Sequence, residues 1–158
     1  EVVVGPYLLE RLVHHGDADA SVAVFLPQLM AATSRKVLLS DGISIVIDET
    51  EALTAIDVNS GSFSYGGKDR EKTILEANRR AADAILEQIR LRNLSGILII
   101  DFIDMKQDRS REQLLSYVKE AAKKDRQKVT VHDYTKLGLM ELTRRRQYLP
   151  LSSFLTTV

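Results

Sequence analysis

Residues 69–105 read DREKTILEANRRAADAILEQIRLRNLSGILIIDFIDM, and the fold turns on this stretch. Ile74, Ala77, Ala81, Ile85 and Ile89 recur about four apart, which places them on one face of a helix running from Asp69 to Arg92. Ser95 and Gly96 end that helix. Ile97 to Asp101, ILIID, is then a continuous apolar run without alternation, as expected for a strand covered on both faces and central in its sheet.

Upstream, three runs have strand character: Lys36 to Leu39, Ile43 to Asp48 and Ala52 to Val58. Ser40-Asp41-Gly42 separates the first two, and Asp-Gly supplies the positive φ angles of a tight hairpin. Gly61, Gly66 and Gly67, with serines between Ser60 and Ser64, predict a loop just past the third strand. Downstream, a second helix is expected from about Asp108 to Lys124 and a strand over Lys128 to His132, KVTVH; Leu137 to Thr143 fits either a last strand or a short helix. The order β-β-β-α-β-α-β predicts an α/β domain with a mixed sheet, an N-terminal antiparallel meander followed by βαβ-type units with two main helices. Glu1 to Ser34 is irregular, with short helical stretches around Pro6 to His14 and Val22 to Ala32. The expected organisation is therefore a segment 1–34, a main domain 35–146 and a C-terminal tail 147–158.

The 158 residues fit one domain, and 44% hydrophobic with 28% charged residues exclude disordered and low-complexity classes. Twenty-two basic residues balance 22 acidic ones, so no global field announces a polyanion or a membrane. The balance conceals a split: Lys106 to Arg146 carries 12 Lys or Arg against 6 Asp or Glu, a local excess of +6. With no Cys, disulfides, thiolate nucleophiles and Cys-ligated zinc are excluded within these residues. No apolar run approaches the ~18 residues of a membrane span, and no signal-peptide pattern occurs, so the expectation is a cytoplasmic protein. A start at Glu1 fits a piece of a longer chain.

Asp57 and Asn59 lie two apart at a strand end, so both side chains project from one face. Asp101 ends an apolar strand, where an ionised carboxylate needs a partner, a hydrogen bond or a cation. If the two strands are neighbours, Asp57 and Asp101 frame a hard-oxygen site suited to Mg²⁺ or Mn²⁺ at the sheet edge, where open α/β proteins place their ligands. The competing reading makes these residues turn-formers and caps, since Asn59-Ser60-Gly61 is also ordinary turn chemistry. On a regular strand Asp104 points away from Asp101, and it lies where a helix cap would, so Asp101 is the better-buried candidate. His14, His15 and His132 lack partners at metal-ligand spacing. The stretch Gly61 to Gly67 is neither a P-loop nor a dinucleotide fingerprint, while Phe63 and Tyr65 within it suit base stacking or anchoring equally.

The blocks IVIDETEALTAIDVNSG (Ile45 to Gly61), IRLRNLSGILIIDFIDM (Ile89 to Met105) and DRQKVTVHDYTKLGLMELTRRR (Asp125 to Arg146) resemble the catalytic, DNase I-like core of the bacterial ribonuclease E/G family. The likeness covers roughly Ser34 to Arg146. It implies an endoribonuclease that cuts single-stranded, often AU-rich RNA in messenger decay and in ribosomal and transfer RNA processing. By the same resemblance Asp57 and Asp101 bind the catalytic Mg²⁺, for which Mn²⁺ is a substitute, and Asn59 contacts the reacting phosphate or its attacking water. Metal chemistry of this kind polarises the phosphate and activates water, leaving a 5′-phosphate and a 3′-hydroxyl. The basic residues Lys106, Arg109, Lys128, Arg144 and Arg145 are expected along the RNA backbone, with Lys128 where the family often has Arg beside its 5′-end-sensing pocket.

Departures from the family pattern are equally visible. Its S1-type RNA-binding domain and 5′-monophosphate sensor do not fit into Glu1 to Ala32, where the family places part of a ribonuclease H-like subdomain. Gln147 to Val158, QYLPLSSFLTTV, lacks the pair of cysteines that binds zinc between subunits, so zinc has no support here. Arg80 stands where relatives usually have Glu. The resemblance leaves a homo-oligomer and peripheral attachment to the inner membrane open. Two readings compete with the nuclease: an RNA-binding or assembly module with structural Asp57 and Asp101, and a metal phosphohydrolase of small esters, which the basic C-terminal third disfavours.

Overall fold

A computed structural model describes residues 2–4, 32–39, 42–61 and 70–157. The helical stretch expected at Pro6 to His14, all but the last residue of the one expected at Val22 to Ala32, and the aromatics Phe63 and Tyr65 lie outside the described residues. The elements are β1 (Val2–Val4), β2 (Lys36–Leu38), β3 (Ser44–Glu49), β4 (Leu53–Asn59), α1 (Arg70–Leu91), β5 (Gly96–Asp101), α2 (Asp108–Ala122), β6 (Val129–Tyr134), β7 (Met140–Arg144), a short 3₁₀ turn (Leu151–Phe154) and β8 (Leu155–Thr157). β1 pairs antiparallel with β8, and the main sheet has the order β2-β3-β4-β5-β7-β6.

The meander β2-β3-β4 is antiparallel as expected, with Gly42 at φ 81° in the turn and Leu39 N–H donating to the Ile43 carbonyl at 2.8 Å. β4 and β5 are parallel, joined by α1, and β7 slots antiparallel between β5 and β6. The ambiguous stretch 137–143 is thus a strand with a hairpin before it. Its partners are β5 on one side and β6 on the other, so the sheet's hydrogen bonding decides what periodicity left open.

Both crossovers, β4-α1-β5 and β5-α2-β6, step the same way across the sheet. Right-handed connections then put both helices on one face. The burial pattern agrees: Ile47, Ile56, Ile100 and Met140 form one buried row in register, Leu98, Leu142 and Val131 another. These rows pack under Ile74, Ala77, Ala81, Ile85 and Ile89 of α1 and Leu114 and Val118 of α2. The expectation that ILIID is covered on both faces is corrected here. Among the described residues nothing comparable covers the other face, where Ile97 is 48% exposed and Asp101 is exposed too. The strand alternates in burial although its sequence does not alternate in polarity.

Candidate carboxylate site

Asp57 and Asp101 are direct register partners on the parallel pair β4 and β5, Asp101 at the C-terminal end of its strand and Asp57 two residues before the end of its own. Their side chains rise on the open face, opposite the buried Ile56, Val58 and Ile100. Asn59, two residues along the same face, donates from Nδ2 to Asp57 Oδ2 at 2.6 Å and so fixes that carboxylate. Just beyond, Gly61 holds φ 51°, and a Cβ there would run into the Gly42 carbonyl oxygen, so the turn that ends β4 needs glycine.

The expectation that Asp101 is better buried than Asp104 is not met, since both are exposed. Loss of solvent around its carboxyl, then the charge of Asp57, then that of Asp104, hold Asp101 above the usual carboxylate range. The charge of Asp104 thus acts on Asp101. The expectation that Asp104 caps α2 is corrected, since Gln107 occupies the cap position; the strand stops at Asp101, so strand alternation does not set the direction of residue 104.

Two residues of α1 that the sequence reading passed over hold the segment after Asp101 in place. Asn78, fully buried, donates from Nδ2 to the Ile103 carbonyl at 2.8 Å and accepts the Ile103 N–H on Oδ1 at 3.0 Å. The Glu71 carboxylate accepts the backbone N–H groups of Gln107 at 2.9 Å and Lys106 at 3.3 Å. These hydrogen bonds first, partial burial opposing them, keep the Glu71 carboxyl below its ordinary range. Asn78 carried a readable signal: a polar residue in the middle of the apolar stripe of α1.

Whether these residues suit a hard divalent cation follows from their donor atoms. Asp57 and Asp101 offer carboxylate oxygens side by side, and Asn59 Oδ1 is a neutral oxygen of the kind Mg²⁺ and Mn²⁺ accept. Three crowded carboxyls also favour a positive charge among them. Among the described residues no three His, Cys, Asp or Glu side chains gather closely enough to hold a metal ion between them. An incomplete set fits Mg²⁺, which keeps several waters and takes one or two carboxylates plus substrate phosphate.

The five basic residues expected along RNA divide between the two ends of the sheet. Lys106 and Arg109 are exposed at the carboxylate end, Arg109 in a cavity of about 600 Å³ between the first turns of α1 and α2 that also holds Lys72 and Glu71. Lys128 and Arg145 are exposed at the opposite end, where Arg145 N–H donates to the Lys128 carbonyl. That end lies about 17 Å away along β5 at ~3.3 Å per residue, because Gly96 and Val129 both pair with Arg144. Arg144 itself is corrected from an RNA contact to a core residue. Its side chain is 5% exposed and spent on Asp125 (2.8 and 3.3 Å), Asn93 Oδ1 and the Leu94 carbonyl (2.9 Å each). Elsewhere, His132 shares a hydrogen bond with Thr143 at 3.0 Å, and Arg80 faces Glu76 at 3.8 Å on the surface of α1.

The described residues thus form a mixed sheet that presents a pair of exposed carboxylates from two neighbouring parallel strands. The sequence profile of the Ribonuclease E/G family matches residues 13–147, beginning before the stretch on which the resemblance rested, and the chain belongs to that family. It is 44% identical to Ribonuclease G of Escherichia coli over 143 residues, 89% of this chain and 29% of the relative. It is 42% identical to Ribonuclease E of Nostoc over 136 residues, 85% of this chain and 20% of the relative. A chloroplastic Ribonuclease E/G-like protein of Arabidopsis thaliana is 46% identical over 114 residues, 72% of this chain and 11% of the relative. The chain thus spans less than a third of the length of these curated relatives. No helix among the described residues is long and apolar enough to cross a membrane.

Proposed function

We propose that this chain carries the hydrolytic centre of a Mg²⁺-dependent endoribonuclease acting on single-stranded RNA in RNA processing and decay in the cytoplasm. The observation that carries the reading is the in-register pairing of Asp57 with Asp101 on the open sheet face, in a chain of the ribonuclease E/G family. A bound Mg²⁺, with Mn²⁺ as its substitute, would supply Lewis-acid polarisation of the scissile phosphate and a more acidic water. Asp57 and Asp101 hold that charge in place by presenting paired carboxylates from two hydrogen-bonded strands. Asn59 orients Asp57 and offers its amide to the reacting phosphate or the attacking water. Lys106 and Arg109, exposed just past Asp101, draw the RNA backbone to the same end of the sheet. An open site admits an internal stretch of polymer, which an enclosed small-molecule pocket does not.

The test is cleavage of a labelled, AU-containing single-stranded RNA with Mg²⁺, with Mn²⁺ and with EDTA, followed by analysis of the product ends. Internal cuts leaving 5′-phosphates, restored by either cation and abolished by EDTA, are expected. Cleavage that persists in EDTA, or that leaves 2′,3′-cyclic phosphates, contradicts the reading. RNA binding without turnover under all conditions favours the alternative of a binding or assembly module.

A further inference from the structure

The hairpin between β6 and β7 lies across β5 from Asp57, because Met140 pairs with Ile100, the residue before Asp101. The carboxylate pair is thus flanked at the same end of the sheet by this hairpin tip. The tip is tightly built: Gly138 N–H donates to the Thr135 carbonyl at 3.0 Å, and Leu137 and Leu139 N–H both donate to Thr135 Oγ1 at 3.1 Å. A rigid turn of this kind carries Leu137 at 87% exposure beside the exposed Lys136. An isolated exposed Leu needs no explanation by itself. Here it overhangs a cavity of about 150 Å³ lined by Asp104, Arg111, Tyr134 and Lys136.

That cavity lies at the same end of the sheet as the carboxylate pair, because Asp104 in its lining follows Asp101 by three residues and the hairpin that closes it begins from Met140, the partner of Ile100. It is half the size of the smallest drug-sized pockets, which begin near ~300 Å³, and it suits a phosphate rather than a whole nucleotide. Lys136 and Arg111 supply positive charge to it. Arg111 is held in position by its Nε, which donates to the Met105 carbonyl at 3.1 Å, and Tyr134 closes one side with its hydroxyl on the Arg111 carbonyl at 3.3 Å. We infer that this cavity seats the phosphodiester adjoining the cleaved one, gripped by Lys136 and Arg111, with Leu137 as the apolar platform for the attached base. The inference rests on the nuclease reading above and names a substrate subsite of the same centre.

The experiment measures steady-state cleavage of single-stranded RNA by the full chain, its Lys136→Ala and Leu137→Ser variants and Asp101→Asn, across a salt series. Both hairpin substitutions lie at exposed positions, and urea unfolding checks that the variants remain folded. About a tenfold rise in KM with kcat within about twofold is expected for each. Lys136→Ala also lowers the salt slope by about one counterion. RNAs shortened from one side of the scissile bond, but not from the other, should abolish the difference between variants and wild type. Hairpin variants with wild-type KM and salt slope, alongside an inactive Asp101→Asn, overturn the subsite and leave the nuclease reading standing. Loss of kcat with unchanged KM overturns it as well, and a wild-type chain that cleaves no RNA overturns both readings together.

Discussion

Replacing Asp101 by Asn is expected to slow RNA cleavage about a thousandfold, the equivalent of about 4 kcal/mol of transition-state stabilisation, without unfolding the protein. Asn keeps the size and one oxygen of Asp but removes the charge that opposes a cation next to Asp57. The residue is exposed at the last position of β5, so no core contact is lost. Its removal also relieves crowding among the carboxyls of Asp57, Asp101 and Asp104, and the variant should be no less stable than wild type when no cation is present. Single-turnover cleavage and urea unfolding on the same preparations check both halves. Asn78 and Glu71 act one step back, since they hold residues 103–107 and thereby the carboxylate end of β5.

Arg144→Ala is expected to cost about 3–5 kcal/mol of stability, the loss typical when one partner of a buried ion pair is removed. Asp125, 3% exposed at its side chain, would be left with a buried charge and only the Gln127 N–H to satisfy it. Arg145→Ala, one residue away and exposed, should stay within about 0.5 kcal/mol. The pair also sets an acid limit. Burial pushes the Asp125 carboxyl up, but hydrogen bonds from Arg144 and Gln127 together with the charges of Arg144 and Arg90 outweigh it and hold the group below its usual range. A depressed folded pKa contributes stability that is complete above the unfolded value near ~3.9 and is lost as pH falls through the folded one. Wild type should therefore lose this contribution progressively as pH falls below about 4. The Arg144→Ala variant should show a weaker acid dependence, measurable as the urea midpoint between neutral pH and pH 3.

The contrast between Arg144 and Arg145 shows what the sequence makes legible and what it hides. In Arg144-Arg145-Arg146 the letters are identical, and a charge run reads as one solvated or RNA-facing patch. The period of two along β7 breaks it up: Met140, Leu142 and Arg144 share the buried face. That alternation was present in the sequence, but it becomes decisive only once residues 140–144 are known to be a strand. The long helix and β5 were readable because apolar spacing and an apolar run are strong local signals. Coverage of β5 was not, because it depends on both crossovers stepping the same way, which is a property of strand order. The pairing of Asp57 with Asp101 likewise needed β4 and β5 to be neighbours. Strand alternation does not extend to Asp104, because the strand ends at Asp101.

Lys128 and Arg145 show the same effect of strand order. Sequence proximity grouped them with Lys106 and Arg109, and the sheet places them at its other end. RNA that touched both groups would run along the strands; of the two groups, Lys106 and Arg109 lie at the end of the sheet that carries Asp57 and Asp101.

The central claim is that Asp57 and Asp101 together hold a divalent cation. Mn²⁺ binding, followed by electron paramagnetic resonance on the wild-type chain and on an Asp57→Asn, Asp101→Asn double variant shown to be folded, tests it most directly. The account predicts one bound equivalent in wild type and affinity reduced at least about tenfold in the variant. Equal binding by the two proteins, or no binding by either, would contradict it.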